Sequence, residues 1–171
     1  MSAATASATL DRDSFVTAYG HVFEHSPWVA GAAWDAGLPR DTDTAAGVHR
    51  ALCAALALAA PDQKLALLQA HPDLAGKLAQ AGRLTAESTE EQVSAGLDRL
   101  TDQERAAFTA LNDAYRARFG FPFIIAVNGL SKGEILAAFE RRVSNDRATE
   151  LTTALEQVER IALLRLRQLL T

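Results

Sequence analysis

The sequence predicts an all-α protein, and three observations carry that prediction. Ala contributes 35 of the 171 residues and Leu 23, whereas Val and Ile together give 12, so strong helix formers far outnumber β-branched residues. Apolar residues recur at helical spacing through most of the chain outside 71–89 and 119–127. The composition, 49% hydrophobic and 22% charged, is that of a globule able to bury a core.

The elements follow in order. Residues 1–10 are small and hydroxylated, with no Lys, no Arg and no apolar run. They read as a disordered lead-in and not as a secretory signal, leaving 11–171 as one compact multi-helix domain. Phe15, Tyr19, Val22 and Phe23 share one face of a helix over about 12–25, capped by Asp11 or Asp13 and ended by Ser26-Pro27. Trp28, Val29 and Trp34 are core anchors, and Gly37-Leu38-Pro39 is a loop. A helix over about 44–59 follows, then one from Pro61, a suitable first-turn proline, to about Ala70. Pro72 disfavours helical backbone at His71, so 71–89 reads as a long connection, a kind of segment that often carries function. Helices resume at about 90–99 and 102–118. Phe119 to Val127 crowds three aromatics and three β-branched residues around Pro122, and 121–127 is predicted to be extended and buried. Ser131 and Glu134 form a capping box opening a helix to about Val143, and a last helix covers about 147–169.

Composition also excludes several functions. A net charge of −4 offers no broad nucleic-acid surface. The longest small-apolar run, Ala51 to Ala60, is half of the roughly 20 residues a membrane span needs. A lone Cys53, set among Ala and Leu, rules out an internal disulfide and reads as core packing. The expectation is a cytoplasmic protein that binds neither nucleic acid nor membrane.

Four features bear on chemistry. His21-Val22-Phe23-Glu24-His25 matches the H-x-x-E-H zinc pattern, but it sits in a core-like stripe that Ser26-Pro27 cuts short. A structural histidine pair is the preferred reading, with no metal, and a zinc hydrolase the rival. His71 follows a helix end in a polar loop, where an imidazole either faces a cleft for proton transfer or caps carbonyls with Asp73; both stay open. Arg165 interrupts an apolar stripe of Leu151, Leu155, Val158, Ala162 and Leu169. A buried guanidinium requires an anionic partner, either an internal carboxylate or a bound anion. Glu87 to Gln92 places three carboxylates at a helix start, and a cap by Ser88 with Glu91 would aim a carboxylate at the His71 loop.

Glu24-His25-Ser26-Pro27-Trp28, His71-Pro72-Asp73-Leu74-Ala75-Gly76-Lys77, Glu87-Ser88-x-x-Glu91-Gln92 and Phe119-Gly120-Phe121-Pro122-Phe123-Ile124 occur in that order, with Arg165 in the closing helix. Over about 12–170 the chain resembles the OHCU decarboxylase family (2-oxo-4-hydroxy-4-carboxy-5-ureidoimidazoline decarboxylase) of urate breakdown. The resemblance implies an all-helical homodimer that converts OHCU to (S)-allantoin without metal or organic cofactor. It implies His71 as the catalytic acid/base and Glu91 as its carboxylate partner. Pro72, Ser88, Thr89, Glu90, Glu91, Gln92, Phe123, Ile124, Ile125, Ala126, Val127 and Arg165 would contact substrate. The resemblance also implies a basic residue at position 128, where this chain has Asn128. The competing readings are a non-enzymatic helical interaction module and an enzyme acting on a related ureide.

Overall fold

In a computed structural model that describes residues 10–170, nine α-helices and one 3-10 turn account for the regular structure, and no strand occurs among the described residues. The chain gathers into two compact units, one of residues up to Ala70 together with those from Val158 onward, the other His71–Gln157. One boundary falls at His71, where the long connection read from the sequence begins, and the other within the last helix. Apart from Leu10, the lead-in expected over 1–10 lies outside the described residues.

In the first unit α1 (Arg12–Tyr19) is capped by Asp11, whose side chain accepts from the Ser14 amide at 2.8 Å. The helix does not reach residue 25. A 3-10 turn, Gly20–Val22, replaces its continuation, and Phe23 is extended. Gly20 lies against Pro27, so close that a Cβ there would sit 3.1 Å from the proline Cβ. His25 adopts a left-handed φ of 49°. His21 and His25 therefore share no helix face, and the geometry on which the zinc pattern depends is not built.

Residues 28 and 34 belong to a helix that the spacing did not reveal, α2 (Trp28–Asp35), which packs on α1 and α3. Eight residues rich in Ala and Gly give too little periodicity to read. Val29 is fully buried and both tryptophans half-buried. α3 (Ala45–Ala57) starts at its Thr44 cap, and α4 (Pro61–Gln69) at its proline.

The second unit holds α5 (Lys77–Gln80), α6 (Ala86–Ser94), α7 (Asp102–Phe119), α8 (Lys132–Arg142) and the first part of α9 (Arg147–Leu169), whose end belongs to the first unit. α6 begins four residues earlier than expected, because Thr85 caps it by accepting from the Ser88 amide at 3.2 Å. Ser88 and Glu91 are thus helix-interior residues, not a cap. Just past its end Gly96 takes a left-handed φ of 78°, so the helix does not continue to 99. The capping boxes of α7 (Thr101, Glu104) and α8 (Ser131, Glu134) are complete. The core is aromatic: Tyr115 packs against Phe119, Phe121, Phe123 and Phe139, and Phe123 stacks on Phe139 at 4.0 Å.

Candidate active site

Residues 71–76, between α4 and α5, have no ladder or helix to satisfy their backbone, and buried backbone groups must be satisfied somehow. Side chains of α6 and α7 do it. The Gln92 amide accepts from the Ala75 N–H at 2.9 Å and donates to the Asp73 carbonyl at 3.3 Å. Asn112 Nδ2 donates to the Leu74 carbonyl at 2.9 Å, and Arg116 Nε to the Asp73 carboxylate at 2.7 Å. His71, Leu74 and Ala75 are buried. Ala75 holds a left-handed φ of 51°, which for a residue with a Cβ costs about 1–2 kcal/mol. Gly76 is required beside it, since a Cβ there would lie 2.7 Å from that of Asp73.

On α6 the named residues divide by face. Ser88 and Gln92, one turn apart, are buried; Glu91 is half-buried; Thr89 and Glu90 are exposed. Gln92 reaches the His71 loop through the two bonds to Ala75 and Asp73. Thr89 and Gln92 also line a cleft of about 410 Å³ with Ala75, Leu84, Val93 and Arg105. Nothing in the spacing of these residues announces the cleft.

The 121–127 segment is irregular and buried except for half-buried Ile125. Two side chains hold its backbone: Arg142 Nη1 donates to the Ile124 carbonyl at 2.8 Å, and Gln157 Oε1 accepts from the Ala126 N–H at 3.0 Å. Arg142 also lies over the Phe123 ring at 4.4 Å and pairs with Glu150 through Nε at 3.1 Å. Glu150, fully buried, further accepts from Asn145 Nδ2 at 2.9 Å and from the Tyr115 hydroxyl. Burial, reinforced by that carboxylate, drives the Tyr115 phenol far above its ordinary range.

In the first unit Arg165 is buried on α9 and its Nη1 meets Glu24 Oε2 at 2.9 Å. Of the two partners open to it on sequence, an internal carboxylate is present. Sequence reasoning assigned no role to Glu24, Asn112, Arg116, Arg142 or Glu150. Only Glu24 left a trace, as the acid of the H-x-x-E-H pattern and the first residue of the first family motif.

Comparison with known proteins decides what these residues belong to. Residues 8–167 match the family model described as OHCU decarboxylase. The chain belongs to the OHCU decarboxylase family. A 2-oxo-4-hydroxy-4-carboxy-5-ureidoimidazoline decarboxylase of Halalkalicoccus jeotgali is 43% identical over 93% of this chain and 86% of its own length. One from Haloferax volcanii is 43% identical over 92% of this chain and 89% of its own. A crystal structure of (S)-allantoin synthase superposes with a TM-score of 0.72 at 34% identity, over 94% of this chain and 51% of that one. Family membership covers both the His71 loop and the irregular aromatic segment.

Proposed function

We propose that the protein is a decarboxylase that converts OHCU to (S)-allantoin in urate breakdown, as one catalytic domain over residues 11–171. The observation that carries the reading is the His71 loop, held by Gln92 of α6 in a chain that matches the family over residues 8–167.

OHCU bears its carboxylate on a carbon that also carries a hydroxyl, next to a ring C=N bond. When the bond to the carboxylate breaks, CO2 leaves and the electron pair moves toward that C=N. The substrate is its own electron sink, so the reaction needs no cofactor to hold the charge. Glu91 orients the hydroxyl and the imidazole, and His71 moves protons to and from the enol-like intermediate. Protonation on one face of the ureido carbon gives the S product. Ser88, Thr89, Glu90, Gln92, Pro72 and the backbone of Phe123–Val127 bind the flat, polar ring, which suits a site with a few placed polar groups in an apolar frame. Arg165, already paired with Glu24, contributes a substrate contact on this reading. The protein works as a cytoplasmic homodimer with no metal.

The test generates OHCU in place from urate with urate oxidase and hydroxyisourate hydrolase, then follows the circular dichroism of allantoin in chelator-treated buffer. Optically active (S)-allantoin appears well above the racemic background with the native protein and stays at background with His71→Asn, which keeps its helical spectrum. Turnover by His71→Asn near the native level would remove His71 from the mechanism.

A further inference from the structure

We propose that Asn112 and Arg116, one turn apart on α7, are positioning residues for His71. The inference rests on His71 being the proton-transfer group. Neither side chain belongs to the substrate-contacting set above.

Asn112 and Arg116 stand at i and i+4, so one face of α7 reads two successive loop residues. Asn112 fixes the Leu74 carbonyl at 2.9 Å and Arg116 the Asp73 carboxylate at 2.7 Å. Gln92, from α6, closes the clamp on the Asp73 carbonyl and the Ala75 N–H. Three consecutive residues are thereby tied to two helices, directly after Pro72, which itself restricts the backbone of His71. The loop is also held in a conformation it would not choose. Ala75 is left-handed without being a glycine, and such strain persists only where surrounding contacts over-determine it. A loop with no task for its geometry could relax there. This one is pinned two to four residues from the imidazole whose placement the chemistry depends on, and a displacement of about 1 Å can cost on the order of a hundredfold in rate.

Asn112 is buried, and its replacement risks the fold; Arg116 is 42% exposed in its side chain and carries the decisive test. Arg116→Ala, Arg116→Lys and Asn112→Ala are compared with native protein for kcat, KM, thermal midpoint and amide hydrogen exchange over 73–75. The expected result for Arg116→Ala is a kcat lower by about 10–100-fold. KM stays within about twofold, the thermal midpoint is nearly unchanged, and the 73–75 amides exchange faster. Arg116→Lys, which keeps a cation for Asp73, recovers most of the loss. Native kcat and native exchange in Arg116→Ala would overturn the proposal, as would a loss of kcat that merely tracks a fall in thermal midpoint. Should the native protein itself make no allantoin, the decarboxylase reading falls. The clamp is then judged on exchange over 73–75 and on the His71 ring resonances: unchanged values in Arg116→Ala overturn it, and altered ones uphold it.

Discussion

Replacing Arg165 with Met separates what this residue does for the fold from what it does for a substrate. The Arg165 and Glu24 side chains are 4% and 2% exposed and meet at 2.9 Å, so water screens the pair little. Met keeps the stem but takes the guanidinium away from the buried Glu24 carboxylate, whose Oε1 then has the exposed His25 ring at 3.9 Å. Breaking a buried pair in this way costs about 3–5 kcal/mol, and at this chain length each kcal/mol moves the thermal midpoint by about 2–4 °C. The midpoint of Arg165→Met should therefore fall by roughly 6–20 °C at pH 7. With the guanidinium gone, burial raises the Glu24 carboxyl above its unfolded value, so the folded variant binds a proton more tightly than the unfolded chain. The deficit is accordingly largest at neutral pH and shrinks as pH falls through that raised value. In Glu24→Leu/Arg165→Met both charges are gone, and apolar replacement of a buried pair is often neutral, so most of the stability returns. Decarboxylation does not return if the arginine also meets substrate. Calorimetry at pH 5 and pH 7 beside the allantoin assay reads all of this. A single variant within about 2 °C of native at pH 7 would refute the reasoning, as would a double variant no more stable than the single one.

Two further predictions concern groups whose protons are held by burial. Both tyrosines are raised above their ordinary value, Tyr19 by burial and Tyr115 by burial and then by Glu150. With folded values above the unfolded one near 10, the stability they contribute is intact below about pH 10 and lost as pH climbs through the folded values. Tyrosinate absorbance should thus appear together with loss of the helical spectrum; ionisation centred near pH 10 in a still-helical protein would contradict this. Burial, and next the Glu159 carboxylate, push the Cys53 thiol up to about 12. Relative to a free thiol near 8.5, its reactive thiolate is scarcer by about three-thousandfold, so iodoacetamide at pH 8 should label the folded protein far more slowly than the denatured one. Equal rates would show that the thiol is not held in this way.

What could be read from the sequence was whatever rests on local chemistry. The capping box of Ser131 and Glu134, the proline opening α4 and the aromatic run before Val127 each state their structure within a few residues, and each is present. The misreadings share a different cause. α1 stops at Tyr19 because Gly20 packs on Pro27, a contact that spacing cannot show when Val22 and Phe23 continue the apolar pattern. α6 is capped by Thr85 although Ser88 and Thr89 compete for the role with equal local credentials. For the site, His71 could be singled out because Pro72 forces it out of a helix. Asn112 and Arg116 could not, since on an amphipathic helix they resemble any polar residues until the chain returns to the 73–75 loop.

α9 shows the same limit within a single element. The stripe read from sequence, Leu151, Leu155, Val158, Ala162 and Leu169, treats the larger apolar residues as the inner ones. The buried positions instead include Glu150, Ala154, Val158, Ala162, Arg165 and Leu166, while Leu151 and Leu155 are half-buried and Leu169 is 44% exposed. Alanine is compatible with either face, so the register is set by partners and not by the pattern. Arg165 was noticed because it broke the stripe as drawn. Glu150 breaks the actual one just as plainly, yet in the first turn of a helix a glutamate looks like an ordinary partner of the helix dipole. Its real partners, Arg142, Asn145 and the Tyr115 hydroxyl, come from α7, α8 and the turn that follows α8. A buried charge is legible in a sequence when it sits where a hydrophobe is expected, and illegible when a surface role would explain it equally well.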